Sequence, residues 1–268
     1  MEVELGLRVV TAPNPGIMTG AGTNQYLVGE RRVALIDCAL GAGPNLERLR
    51  AELDVSGAVL ERILLTHIHP DHIGGVEEVA AVFGAEIVLH ESRRGFAGLD
   101  PDRVCRDGDE IPFDGGALEV LHTPGHESGH CCFFERRRGW LFTGDHVVGA
   151  GTVVISPPDG DMAQYIESLR RLLALPARLL LGGHGPVIHD PRAKIEEYID
   201  HRLARERQVL AGLRRGLTRI PDLVREIYCD VPPVLHVVAE RTVLAHLLKL
   251  ESEGRASRRS ADVFAASV

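Results

Sequence analysis

The sequence predicts an α+β chain in which two sheets are sandwiched between helices, followed by a small helical module. Three observations carry that expectation. Short apolar runs with turn residues give way to helical spacing in two successive rounds of similar size. From about Pro191 the spacing is helical throughout. The charge also changes sign near residue 200: residues 1–200 hold 18 Lys+Arg against 30 Asp+Glu, net −12, and residues 201–268 hold 12 against 8, net +4. The domains expected are 1–195 and 196–268.

In the first 40 residues the runs LRVV, NQYLVG and RRVALIDC, separated by NPG and other turns, read as antiparallel strands with tight connections. Pro44 opens a helix through Leu53, with Leu46, Leu49 and Leu53 at helical spacing. A strand over Ile63–Thr66 precedes a helix from about Asp71 to Phe83, and Glu86–His90 is another strand. Residues 111–145 are strand-rich, with turns at Asp114-Gly115-Gly116 and Pro124-Gly125. Met162–Ala174 reads as helix and Arg178–Leu181 as a strand ending in Gly182-Gly183. Beyond Pro191, Ile195, Ile199 and Leu203 fall four apart, as do Leu213 and Leu217; Leu244, Leu247, Leu248 and Leu250 share a helix that stops at Gly254. Three helices with a short glycine-containing tail fit a helix-turn-helix or winged-helix module.

Composition excludes several classes. With 268 residues, 44% hydrophobic and 25% charged, the chain can bury a core. Aromatics at 4% argue against a base-stacking platform as the main binding surface. No apolar run approaches the roughly 18 residues that cross a bilayer, and MEVELGLRVVTAPNPG resembles neither a secretion signal nor a transit peptide. A cytoplasmic protein without a membrane partner is expected. The five cysteines form no C-x-x-C, so neither a disulfide framework nor a thiolate zinc site is supported. All but two of the cations, Lys194 and Lys249, are arginine, from which no function is read.

The histidines are more informative. Thr66-His67-Ile68-His69-Pro70-Asp71-His72 places three imidazoles and a carboxylate directly after an apolar strand. In an extended loop alternate side chains point the same way, so His67 and His69 can grip one ion. Pro70 biases His69 toward extended backbone and suits the first turn of the next helix, which turns Asp71 and His72 toward a second ion. More donors follow in the same local setting. His126 comes after Thr-Pro-Gly, Asp145 after Phe-Thr-Gly and His184 after Leu-Gly-Gly, each where a strand ends and small residues turn the chain tightly. Nitrogen and carboxylate ligands without thiolate suit zinc, manganese or iron, with zinc favoured. A lone His after Pro-Gly is ordinarily a turn residue; the full set is what lifts the reading above that.

HxHxDH…H…D…H resembles the signature of the metallo-β-lactamase superfamily, whose fold is an αββα sandwich with metals at one edge. The resemblance implies that His67, His69 and His126 bind one metal, that Asp71, His72 and His184 bind a second, and that Asp145 bridges them. Asp145 and His72 stand where the antibiotic-cleaving B1 and B2 classes carry cysteine and arginine, and the B3 class lacks the bridging aspartate. His69 stands where the diiron flavoproteins carry glutamate. The gaps around Asp145 are too short for the inserted domain of the β-CASP nucleases or the exosite arm of tRNase Z. Gly22-Thr23-Asn24-Gln25-Tyr26-Leu27-Val28, Gly183-His184-Gly185-Pro186-Val187-Ile188, Tyr198-Ile199-x-His201-Arg202-x-x-Arg205-Glu206 and Ala245-His246-Leu247-Leu248-Lys249-Leu250-Glu251-x-Glu253-Gly254 are similar to the β-lactamase-like protein 2 family. There the last segment belongs to a C-terminal winged-helix-like domain. That family includes an endoribonuclease acting on single-stranded RNA, and related members include thioesterases acting on carrier-protein thioesters.

The expected chemistry is hydrolysis by a hydroxide held between two divalent ions, with Asp71 and Asp145 in catalytic positions. Phosphodiester cleavage of single-stranded RNA is the leading expectation, and an acyl hydrolase on carrier-protein or CoA thioesters is the alternative. A nucleic-acid-binding regulator with structural metals is the weakest reading, because a structural site rarely needs seven ligands. His122, His130 and His146 are candidates to protonate the leaving group, although a packing role is favoured for each. Thr66 and Asp37 are candidates to orient ligands. Arg93, Arg94 and Arg136–Arg138 could form cationic patches for phosphates, against a competing reading as solvated loops.

Overall fold

The computed structural model describes residues 1–39 and 42–267. Four strands open the chain, β1 (Glu2–Glu4), β2 (Leu7–Thr11), β3 (Asn24–Val28) and β4 (Arg32–Ile36), each antiparallel to the next, as the turn-separated apolar runs predict. After α1 (Ala42–Ser56) the sheet continues in parallel through β5 (Val59–Leu64), β6 (Glu86–His90) and β7 (Arg103–Cys105). Between β5 and β6 lie α2 (Pro70–Ile73) and α3 (Val76–Phe83).

The second sheet contains β8 (Glu110–Phe113), β9 (Gly116–His122), β10 (Cys131–Glu135) and β11 (Trp140–Gly144), all antiparallel to their neighbours. Then come α4 (Met162–Leu173) and β12 (Leu179–Gly182), which adds parallel to β11. The remainder is α5 (Pro191–Arg214), α6 (Ile220–Ile227), α7 (His236–Ser252) and an antiparallel pair, β13 (Ala256–Ser260) and β14 (Val263–Ala266).

Contacts divide the chain into two units. One comprises Met1–Thr123, Gly129–Gly151 and Leu175–Arg192; the other comprises Pro124–Ser128, Thr152–Ala174 and Ala193–Val268. In the first unit the two sheets face each other across one core. Val9, Tyr26, Ile36 and Leu64 meet Val120, Phe133 and Phe142, and the Tyr26 and Phe142 rings lie edge to face at 5.4 Å. The alternate residues Leu27, Leu35, Ile63 and Ile87 point to the other face, where Leu49 and Leu53 of α1 and Val76 and Val79 of α3 cover them. With both faces covered, β3 and β4 are buried nearly throughout, including Asn24 and Gln25. In the second unit Val209, Leu213, Leu223, Val224, Val243, Leu247 and Phe264 close a separate core.

Two expectations need correction. The helix expected over 71–83 is two helices, broken at Gly74-Gly75; a Cβ on Gly75 would stand 2.6 Å from the Ala39 carbonyl oxygen, so the chain turns there to let two backbones touch. The tail after Gly254, read only as a short glycine-containing end, is a strand pair, which is consistent with the winged-helix expectation. Its run Ala256-Ser257-Arg258-Arg259-Ser260 has almost no apolar signal, and Ala256 and Phe264 alone bury deeply. No helix among the described residues is long and apolar enough to cross a membrane.

Candidate metal centre

Every expected ligand sits just beyond a strand. His67 and His69 follow β5, Asp71 and His72 lie on α2, His126 follows β9, Asp145 follows β11, and His184 follows β12. Parallel pairing of β11 with β12 brings Gly144 opposite Gly182, so Asp145 and His184 leave the sheet side by side. Pro70 occupies the first turn of α2 and His69 is extended, at φ −65° and ψ 144°, as the sequence predicts.

Glycines let these chains approach. A Cβ on Gly183 would lie 2.6 Å from His72 Cε1 and 2.7 Å from Asp145 Oδ1, and one on Gly144, whose φ is +45°, would lie 2.5 Å from Thr66 Oγ1. No larger residue leaves the donors where they are.

The donors fall into two groups. Asp71, His72, Asp145 and His184 each offer an atom within 4.8 Å of the others, and His67, His69 and His126 do the same. In the first group His184 Nε2 lies 3.2 Å from Asp71 Oδ2 and 3.3 Å from Asp145 Oδ1, and His72 Nε2 lies 3.4 Å from Asp145 Oδ1. In the second, His67 Nε2 is 3.0 Å from His69 Nδ1.

Asp37 organises both groups. It is buried, and among the described residues it is the single non-glycine with positive φ, at 63°. The neighbourhood repays that strained backbone. Its Oδ1 accepts the Thr66 backbone N–H at 2.8 Å, and its Oδ2 accepts the Thr66 hydroxyl at 2.9 Å and His72 Nδ1–H at 2.7 Å. With its proton committed to Asp37, the Thr66 hydroxyl oxygen accepts from His67 Nδ1–H at 2.9 Å. Both rings are thereby held as the tautomer whose Nε2 carries a lone pair. Likewise His184 Nδ1–H donates to the Gly22 carbonyl at 3.3 Å and His126 Nδ1–H to the Val154 carbonyl at 2.8 Å. Asn24 and Tyr26, which sequence reasoning gave no role, brace the His184 loop. Asn24 Nδ2 donates to the carbonyls of Gly182 at 3.1 Å and Gly185 at 2.8 Å, and the Tyr26 hydroxyl donates to Gly182 at 2.8 Å.

Electrostatics give an independent test of fit to a cation. Burial opposes charge on His72, yet Asp37 and Asp145 pull its pKa well above the ordinary value. Burial likewise opposes charge on His184, but Asp145 and Asp71 raise it to about 9. Burial favours a neutral Asp145, and the facing His72 and His184 nevertheless hold its carboxyl well below the usual range. Ionised carboxylates thus draw positive charge onto the imidazoles opposite. His72 Nε2 is buried and makes no hydrogen bond. Buried carboxylates facing imidazoles this closely are unfavourable unless a cation, a proton on the ring or a metal ion, stands between them. The residues fit divalent metal.

The other candidates settle into supporting places. His130 and His146 are fully buried; the His130 ring lies 5.2 Å from that of His67 and 5.4 Å from that of His146, and its Nδ1 pairs with Thr123 Oγ1 at 3.0 Å. His122 stacks on His90 with 4.2 Å between centroids. The arginine runs are engaged. Arg136 pairs with Glu119, Arg138 lies over the Trp140 ring and near Glu135, and Arg93 is buried with its guanidinium over Phe96.

Comparison with known proteins shows which family the chain resembles. The metallo-beta-lactamase superfamily profile matches residues 18–184, and a beta-lactamase associated winged helix domain profile matches 220–263. A beta-lactamase-like protein 2 homolog of Drosophila melanogaster is 35% identical over 260 residues, covering 90% of this chain and 86% of its own. The lactamase-like protein adaB of Aspergillus niger is 35% identical over 237 residues, covering 82% and 72%. The crystal structure of a metallo-beta-lactamase family protein from Thermus thermophilus superposes with a TM-score of 0.84 at 27% identity, covering 99% of this chain and 100% of that one.

Proposed function

Because the chain belongs to the metallo-β-lactamase superfamily and carries that fold with a C-terminal winged-helix domain, we propose that this hydrolase uses two divalent ions, zinc by preference, to cleave phosphodiesters of single-stranded RNA. The observation that carries the hydrolytic reading is the four-donor group Asp71, His72, Asp145 and His184 with its oriented, unbonded His72 Nε2. Nitrogen and carboxylate donors without thiolate suit zinc, and manganese or iron fit the same set. Two such ions supply a hydroxide at neutral pH and polarise a substrate oxygen.

The chain's own residues do the rest. Asp37, directly and through Thr66, fixes the tautomers of His72 and His67, and Asp145 and Asp71 present carboxylate oxygens toward both facing imidazoles. The winged helix with exposed Arg258 and Arg259 on its strand pair supports a nucleic-acid substrate, since exposed cations there can answer phosphates. An acyl thioester is the second reading, favoured by the net −12 of residues 1–200, which disfavours a polyanion.

The test sets labelled single-stranded RNA beside an acyl thioester, with zinc or manganese and Asp145→Ala as control. RNA cleavage lost in the variant is the expected result. Thioester cleavage alone moves the protein to the acyl-hydrolase reading. Full activity in Asp145→Ala, or in His67→Ala, overturns the dinuclear assignment.

A further inference from the structure

The loop that carries His126 is tied to residues of the second unit. Ser168 Oγ of α4 donates to the Pro124 carbonyl at 2.8 Å, and the Asp161 N–H donates to the Gly125 carbonyl at 2.8 Å. Gly125, at φ +135°, lies against Tyr165 so closely that a Cβ would stand 2.3 Å from Tyr165 Cα. The ring itself is oriented by the Val154 carbonyl. What fixes that carbonyl is less obvious, because residues 152–156 have no helical or strand ladder of their own.

Two helices of the C-terminal module supply the answer. Arg202 of α5, 2% exposed, donates from Nη2 to the Val153 carbonyl at 2.6 Å, and its guanidinium lies 5.2 Å from the centre of the buried Tyr165 ring. On α7, Thr242 Oγ1 accepts the Ile155 N–H at 3.5 Å. Its neighbour Arg241 donates from Nε to Ser156 Oγ at 3.0 Å and from Nη2 to the Pro157 carbonyl. These bonds fall on residues 153, 155, 156 and 157, bracketing the Val154 carbonyl that pairs with His126 Nδ1. An arginine buried to this degree has given up most of its hydration, and a strong acceptor at a fixed place is what compensates it.

We propose that Arg202, Arg241 and Thr242 are positioning residues for His126. They tie the strap at residues 152–157 so that the Val154 carbonyl accepts Nδ1–H and leaves Nε2 aimed as a metal donor. The helical module is on this account part of the machinery that holds one metal, apart from any role in gripping substrate. The inference rests on reading His126 as a ligand.

The experiment measures affinity for each of two zinc equivalents by competition with a chromogenic chelator, using the full chain and no substrate. His126→Ala is the reference and is expected to weaken one equivalent. Arg241→Ala, at an exposed position, and Arg202→Gln are expected to weaken that same equivalent about 10-fold or more, the scale seen when a ligand's outer partner is removed. The other equivalent and the melting temperature of metal-free Arg241→Ala stay as in the parent chain. Arg202→Lys, which keeps a cationic donor, restores part of the loss. Should Arg202→Gln fail to fold, Arg241→Ala and Thr242→Val decide the matter. Parental affinity in those variants beside a weakened His126→Ala overturns the positioning role and leaves the ligand reading intact. Parental affinity in His126→Ala itself overturns both.

Discussion

The strand-end edge of the first unit and the helical part of the second handle buried polarity in opposite ways. At the edge, Asp145 and Asp71 face His72 and His184 at 3.2–3.7 Å, and His72 Nε2 is buried without a well-formed hydrogen bond. In the helical part the buried charge closes on itself: Glu206 of α5 takes Lys249 of α7 at 2.6 Å and Arg255 at 2.9 Å. Two exceptions there are Arg202 Nε, buried without a hydrogen-bond partner, and His246, wholly buried with neither ring nitrogen bonded, which burial and the nearby Arg202 and Lys249 keep neutral. Polarity left open at the edge invites a cation, whereas polarity closed within the helices secures a fold.

The comparison can be broken most forcefully in the helical core. Leu223→Ala removes a wholly buried side chain from α6 and should lower the stability of that part by about 2–5 kcal/mol. A denaturant titration reads that loss, and the zinc equivalent held by the Asp71–Asp145 group should be retained at unchanged affinity. Loss of that equivalent as well would mean the two regions do not divide labour as described.

Asp37→Asn probes the edge. It keeps the side chain's size but turns one oxygen that accepts from Thr66 or His72 into a donor. Affinity for zinc should fall about 10- to 100-fold, visible as a shift in chelator competition. An unchanged titration would show that the Asp37 network does not orient the ligands.

The smallest effect is a pH dependence confined to metal-free protein. His184, raised to about 9 from an ordinary 6.5, contributes stability that is present in full below about 6.5 and lost as pH rises through 9; His72 shifts in the same direction. Asp145 has the opposite sign: its contribution is present above its ordinary 3.8 and lost as pH falls toward its lowered value. Metal-free protein should therefore melt at a lower temperature at pH 9.5 than at pH 6.5, and metal should flatten that slope by replacing the protons. Scanning fluorimetry of both forms at the two values checks it; a flat metal-free profile would contradict the charge balance described at the edge.

Much of this was legible in the sequence. Period-two and period-four spacings marked many of the helices and strands of the first unit, though not β1 or β7. The HxHxDH cluster with His126, Asp145 and His184 marked the donors that the structure gathers into two groups, because strand ends beside glycine leave a local trace. The break in the 71–83 helix left a weaker one, since Gly74-Gly75 is tolerated inside helices and the need for it arises from contact with Ala39. The strand pair at 256–266 was invisible because its stability comes from two buried residues and not from a pattern. Asn24, Tyr26 and Val154 act on histidines through backbone carbonyls, which every residue possesses. Nothing in residue type announces which carbonyl a ring will choose.

Four of the five cysteines are buried, and Cys229, just after α6, is exposed. The unmodified chain therefore already presents one addressable thiol. A maleimide dye placed there would label the helical module alone, so that single-molecule fluorescence could follow that module without any engineered cysteine.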